Sequence, residues 1–167
     1  LIIIMSNIGF IGVGYMGLLF VGLAKMMKAK YISVIDFNTK RLKIAKILGA
    51  NYTFKSNKNY KSNLEKKVLK PTNNLGYDVV ISANGNLQSH NLACKLVAKM
   101  GVVNLFGGIP KNKSEKLKLD TNFIHYRQAK ITGSFSANQS HLNKAFKIIK
   151  NKLIDFSKIV TSYSNYQ

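Results

Sequence analysis

Short runs rich in valine and isoleucine alternate with helical stretches along this chain, a glycine turn joins the first run to the first helix, and an acid closes the second run. Together these predict an α/β fold, a doubly wound sheet of six parallel strands in a single domain. At 167 residues the chain has room for one sizeable core.

The first strand starts at Asn7 and runs into a glycine turn through Gly12, Gly14 and Gly17, with a helix over 17–28 and a second strand over Tyr31–Asp36. A helix over 39–48 places Leu42, Ala45 and Leu48 on one face and stops at Gly49, a natural residue just past a helix end. Asn51–Phe54 is a short third strand. Residues 55–63 are almost all Lys, Asn and Ser, which predicts an exposed loop. Ser62 and Glu65 have capping-box spacing and start a short helix that stops before Pro71.

Asp78–Ala83 is the fourth strand and turns at Asn84, Gly85 and Asn86. The next helix covers 88–100, stacks Leu92, Leu96 and Met100 at helical spacing and closes at Gly101. Val102–Phe106 is the fifth strand and Ile131–Phe135 the sixth. A last helix over 139–151 turns Leu142, Phe146 and Ile149 inward.

The chemistry begins in the glycine turn. Gly12, Gly14 and Gly17, with Val13, Tyr15 and Met16 between them, have the GxGxxG spacing of a dinucleotide-binding Rossmann βαβ unit. In that reading Gly12 makes the tight turn, Gly14 lets backbone approach a pyrophosphate, and Gly17 lets the helix pack closely. Phosphates then rest on a helix N-terminus, where free N–H groups and the dipole both favour negative charge.

Glycines also gather in turns for structural reasons, so the context decides. Asp36 stands nineteen positions after Gly17, the spacing of an acid that accepts hydrogen bonds from the adenosine ribose. A carboxylate there repels the extra phosphate of NADP, which favours NAD. Arg41 either contacts adenine or a phosphate, or is a solvated residue in the first turn of the second helix. Ligands of doubly wound sheets lie across the carboxyl ends of the strands. Asn84, Gly85, Phe106, Gly107, Gly108, Ser134 and Phe135 follow such ends and trace a groove from adenine to nicotinamide.

The formal charge of +20 invites a nucleic-acid partner, but only Arg41 and Arg127 among the 26 basic residues are arginine, and the lysines are spread along the whole chain. That pattern predicts solvated faces rather than a base-reading surface, and so no nucleic-acid role. Residues 1–24 carry no charge, yet Ser6, Asn7 and several glycines interrupt them. A first strand and helix buried on both sides look this apolar, so no membrane segment is expected. The lone Cys94 excludes an internal disulfide, supports a reducing, cytoplasmic setting, and is expected to be a small buried hydrophobe.

These motifs together resemble the medium-chain, zinc-type alcohol dehydrogenase family, in particular its sorbitol (iditol) and threonine dehydrogenase-like branch. The resemblance is carried by Gly12 through Leu19, Asp36 with 41–50, Gly76 through Val80, Leu105 through Lys111, and 124–127 with 131–135, and it runs from about Gly9 to Thr161. Tyr15 and Met16 replace a proline and a small aliphatic residue often found inside the turn, while keeping its spacing.

The resemblance implies that Gly12, Gly14, Tyr15, Met16 and Gly17 hold the pyrophosphate of NAD and that Asp36, with Arg41 beside it, holds the adenosine ribose. Asn84 and Gly85 then line the adenosine half, and Phe106, Gly107, Gly108, Ser134 and Phe135 the nicotinamide half. It also implies hydride transfer between a secondary alcohol or polyol and NAD, and a homo-oligomer joined through a sheet edge.

Family members carry their zinc ligands on a separate N-terminal catalytic domain, and Cys94, His90, His125 and His141 show no ligand spacing. His90 and His141 sit at helix starts as surface residues, and His125 either approaches the substrate side or, the favoured reading, takes a structural or edge position. No residue of this chain is therefore assigned a catalytic or metal-binding role. The expected organisation is a strand or linker remnant of the catalytic domain over 1–8, an NAD-binding domain over 9–161, and a truncated tail over 162–167. Such a fragment is expected to be inactive alone. The competing class is a stand-alone NAD(H)-sensing module, which predicts tight binding with no catalytic domain encoded upstream.

Overall fold

The computed structural model describes residues 5–57, 63–110 and 116–160. Leu1–Ile4, the capping-box residue Ser62, Lys111 and the tail from Thr161 lie outside the described residues. Six parallel strands form one sheet in the order β3-β2-β1-β4-β5-β6, so the chain doubles back between β1 and β4. The strands are β1 (Asn7–Ile11), β2 (Tyr31–Asp36), β3 (Tyr52–Lys55), β4 (Tyr77–Ser82), β5 (Val97–Leu105) and β6 (Lys130–Gly133). The helices are α1 (Tyr15–Met26), α2 (Thr39–Ile47), α3 (Asn63–Leu69), α4 (Leu87–Leu96), α5 (Thr121–Arg127) and α6 (Gln139–Lys150).

Both faces of the central strands are buried, which is why those strands read as nearly continuous apolar runs. The side chains still alternate. Phe10, Val34 and Val79 join a core with Leu18, Val21 and Leu42 beneath α1 and α2. Their neighbours Ile11, Ile35 and Val80 join the opposite core with Val68, Leu92 and Leu96 beneath α3 and α4. Tyr77 lies wholly within that second core, where its hydroxyl donates to the Val68 carbonyl at 2.5 Å and bonds the Ser33 hydroxyl at 2.8 Å.

The structure departs from the sequence reading at four points. Helix α4 ends at Leu96 rather than at 100, and Val97 is already extended. Residues 97–101 pack so tightly on Gly76 and Tyr77 that a Cβ on Gly76 would stand 2.8 Å from the Leu96 carbonyl oxygen and the Ala98 nitrogen. Close approach of two chains therefore overrides helical spacing, and the β4–β5 register shifts between Tyr77 and Val79. Met100 points outward with a positive φ of 60°, and Gly101 sits within β5 instead of closing a helix.

The second correction concerns α6. Leu142 and Phe146 are 56% and 65% exposed, and Ile149 is exposed as well, because no residue of α6 is buried. Ala145 and Ile148, together with Ile149, line an apolar hollow against α1, while Leu142 and Phe146 stay outside it and exposed. Third, α5 forms where the sequence offered only the run 124–127, started by the Asp120 side chain accepting from the Phe123 N–H at 3.1 Å. Fourth, His90 is not a surface residue but is 3% exposed. His141 is exposed, as expected, and His125 is exposed as well. Cys94 is half-buried against the second core, and burial pushes its thiol pKa up, which favours the protonated form.

Candidate cofactor site at the strand ends

Gly12 and Gly17 make the tight turn and the close helix approach that their spacing predicts. Gly12 adopts a φ of +84°, where a Cβ would lie 2.5 Å from the Asn84 side-chain nitrogen. A Cβ on Gly17 would meet the Gly12 carbonyl oxygen at 2.2 Å, so only glycine lets α1 sit this close to the turn. Gly14 differs, because a Cβ there would find no atom within 4 Å. Nothing in the chain itself requires glycine at that point. Helix α1 starts there with Gly14 as its N-cap, no capping side chain and no acid in its first turn. Its first N–H groups have no intrahelical partner and form a ready anion site.

Asp36 ends β2 beside this turn and is buried. Its Oδ2 accepts from the Val13 N–H at 2.8 Å and its Oδ1 from the Asn38 N–H at 2.7 Å. Each oxygen keeps acceptor capacity. Asn38 in turn caps α2 by accepting from the Lys40 and Arg41 N–H groups. A groove of about 320 Å³ opens over these residues, lined by Gly12, Gly14, Asp36 and Arg41 on one side and Ala83, Asn84 and Asn86 on the other.

Phe37, Ser56, Asn57 and Ser89 also line the groove, and the sequence reading missed them as site residues. Ser56 is buried and its N–H donates to the Asp36 carbonyl at 2.9 Å, although it falls in the stretch expected to be an exposed loop. The signal was available, since Ser56 directly follows the end of β3 just as Ala83 follows β4. Tyr15 and Met16 present only backbone to the turn. Their side chains line a separate apolar hollow between α1 and α6.

The remaining candidates stand further along the same edge, outside the groove lining. Phe106 packs edge-on against Phe20 with centroids 4.9 Å apart. The Phe106 and Gly107 N–H groups both donate to the Ser82 carbonyl, at 3.1 and 3.0 Å. A Cβ on Gly107 would stand 2.3 Å from the Asn84 carbonyl carbon, and one on Gly85 would stand 2.2 Å from the Gly108 carbonyl oxygen. The loops after β4 and β5 thus touch backbone to backbone, and Gly85 serves that contact rather than the groove. Gly108 itself is open. Beyond β6, the Ser134 hydroxyl accepts from the Asn104 amide at 2.7 Å, and Phe135 is 100% exposed.

The chemistry of the donor set differs for the two groups the resemblance implies. A dinucleotide fits, because the open Gly14, the α1 N-terminus and the Asp36 carboxylate share one groove. Zinc does not, since among the described residues no three His, Cys, Asp or Glu side chains come together. No helix among the described residues is long and apolar enough to cross a membrane.

The parallel sheet and the reversal of its strand order between β1 and β4 define a Rossmann-like α/β domain that matches the cofactor-binding domains of dehydrogenases. The family model for zinc-binding dehydrogenases matches residues 16–151, and the chain belongs to that family. No curated protein matches the sequence.

Among solved structures, a Sinorhizobium meliloti protein described as a zinc-binding dehydrogenase and bound to NADP is 23% identical, with a TM-score of 0.84 over 94% of this chain and 45% of its own. Benzyl alcohol dehydrogenase from Acinetobacter calcoaceticus is 19% identical, with a TM-score of 0.85 over 97% of this chain and 44% of its own. An Escherichia coli alcohol dehydrogenase complexed with NADH is 19% identical, with a TM-score of 0.77 over 92% of this chain and 43% of its own. These likenesses establish the fold. The chain spans less than half the length of each of these relatives.

Proposed function

We propose that this chain is the NAD-holding domain of an alcohol or polyol dehydrogenase. The observation that carries the reading is Gly14, a glycine with open space around it at the start of α1, facing the groove that Asp36 shares. The N–H groups around Gly12, Gly14, Tyr15, Met16 and Gly17 hold the pyrophosphate. Asp36 and Arg41 hold the adenosine ribose, and Asn84 flanks the adenosine half. The loop Phe106–Gly108 and the Ser134–Phe135 segment offer backbone groups to the nicotinamide half.

The cofactor supplies hydride transfer to or from an alcohol carbon. In this reading the chain's own residues orient the dinucleotide, while zinc and substrate contacts belong to a separate catalytic domain. The chain alone binds cofactor and turns over no alcohol. The same reading has copies pairing through an edge of the sheet. NAD is preferred over NADP, because the buried Asp36 carboxylate opposes a 2′-phosphate.

Fluorescence titration of the chain with NADH and NADPH tests this. NADH is expected to saturate with NADPH clearly weaker. Binding of neither, or tighter binding of NADPH, overturns the reading. Affinity for DNA that collapses with salt and ignores Asp36→Ala points instead to a basic nucleic-acid binder.

A further inference from the structure

His90 lies one turn into α4, with its N–H donating to the carbonyl of the cap residue Asn86 at 3.2 Å. Its ring is buried, and Nδ1 stands 3.1 Å from the hydroxyl oxygen of Ser82, which is fully buried. Ser82 is the last residue of β4. Its carbonyl receives the N–H groups of both Phe106 and Gly107, so one residue joins the His90 ring to the loop after β5.

The Gly107 backbone also acts on the ring, where it favours the protonated form. Burial is the larger influence and pushes the His90 pKa down, leaving a neutral imidazole at pH 7. A neutral ring has one donor and one acceptor nitrogen, enough to serve the Ser82 hydroxyl and the Gly107 backbone together. An aliphatic side chain fills such a volume without specifying anything. A buried polar pair is satisfied in one geometry only, and here that geometry sets where the Phe106–Gly108 loop rests.

We propose that His90 is a positioning residue, which through Ser82 fixes the Phe106–Gly108 loop on which the nicotinamide half of the cofactor rests. The inference rests on the reading that the strand ends hold a nicotinamide dinucleotide. The ring's polar partners are Ser82 and the Gly107 backbone, and neither belongs to the glycine turn or to Asp36, so its influence is expected on the nicotinamide half of the ligand.

The test compares NADH with ADP-ribose, which has the adenosine and pyrophosphate but no nicotinamide. Both are titrated into the full chain and into His90→Leu, His90→Gln and Ser82→Ala. For His90→Leu, NADH affinity is expected to fall about tenfold while ADP-ribose stays within about twofold, a selective loss on the scale of one buried hydrogen bond. His90→Gln keeps a donor and an acceptor and is expected to restore most of the NADH affinity.

Equal loss of both ligands, or no loss of either, overturns the proposal. If His90→Leu does not fold, Ser82→Ala breaks the same link from the other side and is judged by the same selectivity. A parent chain that binds neither ligand sinks the cofactor reading itself. A parent chain that binds both, beside variants without selective loss, sinks only the role of His90.

Discussion

The carboxylate of Asp36 accepts the Val13 N–H at 2.8 Å, so the acid at the end of β2 holds the glycine turn that follows β1. Its other oxygen holds the Asn38 N–H at the entrance to α2. The residue expected to meet the ribose is therefore also a brace of the loop expected to meet the phosphates. Asp36→Ala is expected to lower unfolding stability by roughly 1.5–3 kcal/mol, the range for a buried hydrogen bond to a charged group, and to weaken NADH at least tenfold. Urea melts and NADH titrations measure the two effects separately. An unchanged urea midpoint refutes the bracing role.

Gly14 and Gly17 are expected to separate binding from folding. Gly14→Ala meets open space, so its stability stays within about 0.5 kcal/mol while NADH affinity falls about tenfold. Gly17→Ala drives a Cβ against the Gly12 carbonyl, and it is expected to destabilise by roughly 1–3 kcal/mol as an overpacked site. The same pair of measurements decides, and equal stability of the two variants contradicts the geometry.

The exposed stripe of α6 is expected to tolerate polar substitution in this chain. Phe146→Ser is expected to change stability by no more than about 0.5 kcal/mol, whereas Leu96→Ala in the second core loses roughly 2–5 kcal/mol. A large loss at Phe146 places α6 against the sheet, contrary to the structure.

Two buried groups shape the pH dependence of stability. Burial raises the Tyr77 pKa from 10.0 to about 12, so the unfolded chain releases that proton first. Stability from Tyr77 is fully present below pH 10 and is lost as pH rises towards 12, and Tyr77→Phe is expected to flatten this alkaline limb. His90 acts at the opposite end. Its pKa is lowered from 6.5, so the unfolded chain binds more protons and stability falls as pH drops below 6.5. His90→Gln is expected to reduce that acid slope in urea melts between about pH 5 and 7, a window set by the ordinary imidazole value of 6.5 and the downward direction of the shift.

The local part of the fold is written in short stretches of sequence. Glycine spacing fixes the turn from β1 to α1, because its positive φ and close approach are properties of those residues themselves. Alternating apolar runs give the strands, and Gly49 ends the α2 region as a C-terminal glycine does. The missed or misplaced elements depend on distant partners. Helix α4 stops at Leu96 because Gly76 lies against residues 96–98, and no spacing within 88–100 contains that fact.

The sequence by itself determined the doubly wound class, the glycine turn and the acid that faces it, since each follows from backbone freedom and side-chain period along neighbouring residues. Only the tertiary structure decided which apolar stripe stays exposed on α6, that Ser56 joins the groove, and that His90 leaves the surface to bond Ser82. Those outcomes depend on burial and on hydrogen bonds between segments that meet only when the sheet has formed.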